Sequence, residues 1–199
     1  VNAAEPEVES DFQTALLAHL GTHAGDLPVP HIRPTLSGES LAATTSPHGT
    51  AHRVRLVSWV EGEPLAETTR SEAALESLGH MLGRFDAALK GFMHPGALRD
   101  LDWDIRTAGR SADRLSHVTA AEDRALVERF LKRFATVAPR LATLRAAVIH
   151  NDANDWNVLV DAGNPDRISG LIDFGDALHT PVIAEVAIAA AYAGLDHAD

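Results

Sequence analysis

The chain has 199 residues, 45% of them hydrophobic, and a formal charge of −11: enough to bury a core as one domain or a two-lobed unit, and too acidic for a nucleic-acid backbone to be its main partner. It contains no cysteine, which excludes a disulfide framework and suits a reducing cytoplasm. It has no charge-free apolar run of membrane-spanning length, and its first residues are acidic rather than basic, so neither a membrane partner nor a secreted reading is suggested.

In chain order, Phe12, Leu16 and Leu20 recur at four-residue spacing and predict a helix over 8–20. Residues 37–52, rich in Gly, Ser, Thr and His, read as a mobile connection between strands. Residues 53–60 read as a strand with Val54, Leu56 and Val60 alternating against more polar neighbours, ending in the turn Glu61-Gly62-Glu63-Pro64-Leu65. A second helix is expected over 71–90, with Ser71 as N-cap and Leu75, Leu78, Leu82, Phe85 and Leu89 on its core face. Residues 92–106 read as a loop whose Trp103 packs on one lobe or the other. A third helix is expected over 119–144, capped by Thr119, broken near Pro139, with Leu126, Phe130, Phe134 and Leu141 as core. Short buried strands at 146–149 and 158–160, an apolar run at 168–172 and a small-residue helix over 184–193 complete the pattern. His19 with His23 and His48 with His52 are spaced four apart, but neither pair has a third ligand nearby in sequence, so zinc is not the expected chemistry.

The chemistry concentrates between the buried strands. His150-Asn151-Asp152-Ala153-Asn154-Asp155-Trp156-Asn157 follows the pattern H-x-D-x-x-x-x-N, and Asp173-Phe174-Gly175 follows the later apolar run. Phosphoryl transfer needs an acceptor for the hydroxyl proton and oxygen ligands for cations bridging the phosphates. Asp152 suits the first role; the carbonyl of Asn157 and the carboxylate of Asp173 suit magnesium, a hard cation that prefers oxygen. His150 reads as a scaffold residue.

The runs "VIHNDANDWNVLVD" and "ISGLIDFGD" resemble the aminoglycoside phosphotransferase and choline kinase-like enzymes, relatives of the protein kinases. Within that group they are most similar to the hydroxylysine kinase-like branch, which also occurs fused to class III aminotransferases. The resemblance implies an α+β, protein kinase-like two-lobed fold: residues 1–62 a truncated small N-terminal lobe with few antiparallel strands and the hinge, residues 63–199 a mostly helical C-terminal lobe. It implies ATP and Mg2+ as cofactors, Asp152 as catalytic base, Asn157 and Asp173 as metal ligands, and Ser58, Trp59 and Val60 as the adenine-binding hinge, Ser58 offering its carbonyl and Val60 its amide.

The net acidity favours a small, cationic hydroxyl acceptor. Asp155 and Asp176 are the candidates to meet it; Asp100, Asp102, Asp104 and Glu185 are more distant, the three aspartates around Trp103 reading as solvated surface carboxylates. Related kinases place a glycine-rich turn and a strand lysine before the first helix. No such segment occurs here, and Val1-Asn2-Ala3-Ala4 resembles the tail of that strand, so the chain is expected to be an internal fragment of a longer protein, fused to further domains if it follows the fused members of the branch, and truncated also after 184–193. Glu9 and Asp11 are the candidate partners of the expected lysine. Two readings follow: a small-molecule kinase whose isolated fragment transfers phosphate poorly or not at all, and a non-catalytic kinase-like module that binds a ligand or partner domain.

Overall fold

The computed structural model describes residues 6–195, so Val1-Asn2-Ala3-Ala4 lies outside the described residues. Helix α1 (Glu7–His23) carries Glu7 and Glu9 in its first turn, where negative charge complements the helix dipole. The predicted stripe Phe12, Leu16 and Leu20 is fully buried. Short strands follow: β1 (Ile32–Arg33), the hairpin of β2 (Ala42–Thr45) and β3 (Ala51–Val54), and β4 (Leu56–Val57), which pairs antiparallel with β1.

Two expectations fail in this stretch. Residues 37–52 are not simply a connection, because Ala42–Thr45 forms half of the hairpin, closed where the Thr50 amide bonds to Ser46 Oγ at 3.1 Å. Residues 53–60 are not one strand, and Val54 and Leu56 point outward, 46% and 66% exposed. The reason is that arginines claim the inner face. Arg53 pairs with Asp11, and Arg55 donates to Gln13 Oε1 at 2.6 Å and Thr14 Oγ1 at 3.1 Å, so the odd-numbered positions face α1. Asp11, a candidate lysine partner, is thus engaged by Arg53.

Helix α2 (Glu72–Ala88) behaves as predicted: Ser71 Oγ accepts the Ala74 amide at 3.0 Å, and Leu78, Leu82, Phe85 and Leu89 are buried. It packs against a three-stranded antiparallel sheet in the order β5 (Glu63–Pro64), β7 (Val158–Asp161), β8 (Asn164–Leu171). A separate antiparallel pair, β6 (Ala146–Ile149) with β9 (Leu178–Pro181), leads into helix α4 (Ile183–Ala193). Side chains from α1, α2, β6, β7 and β8 meet in one apolar core with Phe174.

Helix α3 (Ala121–Leu141) departs from expectation. Its N-cap is Ala120 rather than Thr119, and it passes through Pro139 to end two residues later. Its apolar stripe is not core: no α3 residue is buried, and Leu126 and Phe130 are 45% and 55% exposed. The helix leans on a 3-10 run, Ile105–His117, that itself buries nothing, so no second layer covers the stripe. Trp103 packs on neither side and is 74% exposed. Asp104 is not a surface carboxylate. It is buried and accepts Thr180 Oγ1 at 2.7 Å and the Arg106 amide at 3.0 Å, tying the 3-10 run to β9. Asp100 and Asp102 do stay exposed, paired with Arg110 and Arg114. No helix among the described residues is long and apolar enough to cross a membrane.

Candidate functional site

Strands β6 and β7 bracket the loop 150–157, as their buried apolar residues predicted, and β8 delivers Asp173 beside it. His150 is the pin between the two loops. Its Nδ1 accepts the Asp152 amide at 3.2 Å, so Nε2 carries the proton and donates to the Ile172 carbonyl at 2.9 Å. The ring is fully buried edge-on against Phe174 and near Phe85, and burial pushes its pKa down to about 4. A neutral, doubly bonded imidazole orients neighbours and is a poor proton acceptor.

Asp152 is half-buried and its carboxylate is aimed by two amides: Asn154 Nδ2 reaches Oδ1 at 3.0 Å and Asn157 Nδ2 reaches Oδ2 at 2.8 Å. Burial raises its pKa above the ordinary carboxylate range, opposed by the Asn154 bond and assisted by the negative charge of Asp173. Because Asn157 spends its NH2 group on the Asp152 carboxylate and the Asp152 carbonyl, at 2.9 Å, its side-chain oxygen is the end left for a hard cation. Asp173 is exposed, held at the left-handed φ of 61° with its Oδ1 accepting the Gly175 amide at 3.0 Å. The Ile172 amide donates to the Asn157 carbonyl at 2.9 Å, so the backbones carrying the two oxygen donors are directly joined.

Three residues of this site were missed as contributors. Asn154 Oδ1 accepts the amides of Trp156 at 2.8 Å and Asn157 at 3.0 Å, a local turn that sets the spacing from Asp152 to Asn157. Asn151 sits at φ 65° and ties the loops together through Nδ2 to the Asp176 carbonyl at 3.2 Å. Glu185, counted only among distant acceptor carboxylates, is fully buried on α4, where Oε2 accepts the amides of His150 at 2.6 Å and Asn151 at 3.3 Å. The preference of Asn for left-handed backbone is the only sequence signal that marks Asn151.

Asp155 and Asp176 part ways. Asp155 is turned away from the loop mouth into a buried ion pair with Arg70, which also donates to the Leu195 carbonyl at 2.6 Å, so its carboxylate is spent on structure. Asp176 stays half-buried beside Asp152 and Asp173; burial raises its pKa, as does the charge of Asp152, while Arg99 opposes.

The residues expected to form the hinge line a separate cavity of about 730 Å³, with Ser58, Trp59 and Val60 on one wall and Arg167 and Ser169 on another. Ser58 uses its amide and hydroxyl on His31, at 2.8 and 2.9 Å. Trp59 is 83% exposed. Gly62, at φ 150°, runs so close to β7 and β8 that a Cβ there would overlap the Val160 carbonyl and Ser169 Oγ.

The buried acid carries a pH signature. Burial, then the charge of Asp86, raises the Glu185 pKa to about 8, while the two amides oppose. A raised carboxyl stabilises the fold below its unfolded pKa and loses that contribution as pH rises through the folded value. The free energy of unfolding is therefore expected to fall from about pH 7, above the range where His150 changes it, by up to about 1.4 kcal/mol per pH unit, and to level off as pH passes the folded value of about 8. Urea titrations across that range check this, and Glu185→Gln should flatten the dependence.

The profile of the Phosphotransferase enzyme family matches residues 1–198. The hydroxylysine kinase of Danio rerio is 30% identical over 96% of this chain and 57% of its own length. This chain spans about half the length of the curated relatives it matches. Among solved structures, the amicoumacin kinase hAmiN, in complex with AMP-PNP, Ca2+ and Ami, superposes with a TM-score of 0.63 at 16% identity, over 92% of this chain and 53% of that one. The aminoglycoside phosphotransferase APH(3'')-Id of Streptomyces rimosus gives 0.56 at 18% identity, over 96% and 70%. The fold is therefore the kinase-like α+β arrangement that the resemblance implied.

Proposed function

The chain belongs to the phosphotransferase enzyme family, and on that premise we propose that it forms part of an ATP-dependent small-molecule kinase that moves the γ-phosphate to a hydroxyl of an amino alcohol, an aminoglycoside-like compound or a hydroxylated amino acid. The observation that carries the reading is the joined loop pair in which Asn157 aims the Asp152 carboxylate while Asn157 and Asp173 present oxygen donors from bonded backbones. In this reading Asp152 accepts the hydroxyl proton as the acceptor oxygen attacks. Its raised pKa suits that task, since a carboxylate nearer to neutrality is a better base than a fully solvated one.

Asn157 and Asp173 would hold magnesium, whose charge offsets that of the phosphates when bound. The donor set fits: a side-chain carbonyl with its amide already committed, and an exposed carboxylate. Ser58 and Val60 would meet the adenine edge with backbone groups, with Trp59 beside them, in the cavity under the hinge. In this reading Asp176, rather than Asp155, would favour a cationic acceptor, because Asp155 is paired with Arg70. Residues 1–62 would then belong to the N-terminal lobe and hinge, and 63–199 to the C-terminal lobe.

Lysine occurs only at positions 90 and 132, so the phosphate-gripping lysine of related kinases has no counterpart before the hinge. That favours, for these 199 residues alone, the second reading of a kinase-like binding module. The two separate in a full-length protein containing this chain. Supplied with ATP, magnesium and a panel of hydroxylysine, ethanolamine, aminopropanol and an aminoglycoside, it should consume ATP with at least one acceptor. Consumption no higher than that of an Asp152→Ala control, for every acceptor, would leave only the binding module.

A further inference from the structure

A short stretch of chain joins helix α1 to the turn that carries Asp173. It begins with a 3-10 turn, Pro95–Leu98, packed against α1 and β9. Gly96 is pressed so close under α1 that a Cβ there would lie 2.4 Å from the Val8 carbonyl oxygen and 2.6 Å from Phe12 Cβ. Arg99 comes next. Its Nη1 donates to the Gly96 carbonyl at 3.2 Å, its Nη2 donates to the Gly175 carbonyl at 2.6 Å, and its guanidinium lies 5.6 Å from the ring centre of the fully buried Phe12. Farther on, Asp104 accepts Thr180 Oγ1 at 2.7 Å, so the stretch is pinned at both ends to the chain that follows Asp173.

The turn needs such a hold. Asp173 sits at φ 61°, a left-handed conformation that a residue with a side chain keeps only where its surroundings fix it. On its N-terminal side Ile172 is bonded twice, its carbonyl to His150 Nε2 and its amide to the Asn157 carbonyl, both at 2.9 Å. On its C-terminal side the holds are the Arg99 bond to Gly175 and the Asn151 bond to the Asp176 carbonyl at 3.2 Å. The Arg99 bond is the shorter and has a charged donor, which makes it the stronger. Asp152, Asp173 and Asp176 also crowd three negative charges together, and Arg99 sets a positive one against them.

We propose that Arg99 is a positioning residue for the proposed metal site. Anchored on α1 through Phe12 and Gly96, it holds the Gly175 carbonyl so that Asp173 keeps its left-handed backbone and presents its carboxylate beside the loop 150–157. Arginine suits the task because its rigid fork serves two carbonyls at once, which a single ammonium does less well. The proposal deepens the reading of Asp173 as a metal ligand and rests on it.

The test compares the 199-residue chain with its Arg99→Ala variant by two measurements. The first is amide hydrogen exchange by nuclear magnetic resonance at Gly175, whose amide is bonded to Asp173 Oδ1. Exchange there should quicken at least about tenfold, the loss expected of one hydrogen bond from a charged donor, while the amides of α2 and β7 keep their parent rates. The second is Mn2+ uptake in the presence of AMP-PNP, whose affinity should weaken by about tenfold in the variant. Exchange at Gly175 that does not change, or that quickens equally in α2 and β7, overturns the proposal. So does an Mn2+ affinity that stays at the parent value. A parent that takes up no Mn2+ would instead sink the metal reading of Asp173, and exchange at Gly175 would then decide the grip of Arg99 by itself.

Discussion

In a full-length protein containing this chain, Asp152→Asn is expected to lower kcat by about 10²–10⁴-fold, the usual contribution of a positioned general base. The substitution keeps the size of the side chain, and its amide oxygen can still accept from Asn154 or Asn157, so the loop should hold its shape. What it removes is the capacity to take a proton. If Asp152 acts on the acceptor hydroxyl, KM for the nucleotide should stay within about threefold while kcat collapses, because the loss is confined to the transition state. A fall in nucleotide affinity of the same size as the fall in kcat would instead make Asp152 a ligand-binding carboxylate. Steady-state kinetics with ATP and the best acceptor of the panel distinguish the two.

The second large effect is structural. Glu185→Ala removes the acceptor shared by two buried amides, those of His150 and Asn151. Each buried donor left unpaired costs about 1–3 kcal/mol, and a cavity opens where the side chain lay. Relief from burying a carboxyl offsets part of this, so a net loss of about 2–4 kcal/mol is expected at pH 7. Glu185→Gln keeps an oxygen for the amides and should lie near the parent at pH 7 and above it at pH 9. Equilibrium unfolding in urea measures all three proteins. If the alanine variant matched the parent, Glu185 would not be what holds the loop.

The contrast between these two residues shows how far the sequence could be read. Asp152, Asn157 and Asp173 stand in a fixed order between apolar segments, and phosphoryl transfer demands those side chains on those loops, so the pattern alone brought them together. The core faces of α1 and α2 were legible for a similar reason: a helical period with a strong cap leaves few alternatives. Glu185 was not legible, because the partner of its carboxylate is a backbone amide, and amides leave no mark in a sequence. Asp155 looked like an acidic residue beside a catalytic loop until Arg70, 85 positions earlier in the chain, took it up. The α3 stripe had the period of a core helix, but burial depends on what lies opposite, and a 3-10 run gives it only one side. Val54 and Leu56 followed the strand period faithfully; two arginines with partners on α1 decided which face turned inward.

In the proposed function, the loop pair built on Asp152, Asn157 and Asp173 belongs to a metal-nucleotide site. Titration of the 199-residue chain with Mn2+ in the presence of AMP-PNP, followed by the loss of the free-ion electron paramagnetic resonance signal, tests it most directly. Manganese shares magnesium's preference for oxygen ligands and reports its own binding. Mn2+ uptake is expected to depend on AMP-PNP, to persist in Asp152→Asn and to be lost in Asp173→Ala. Uptake that is indifferent to the nucleotide, or undiminished in Asp173→Ala, would contradict it.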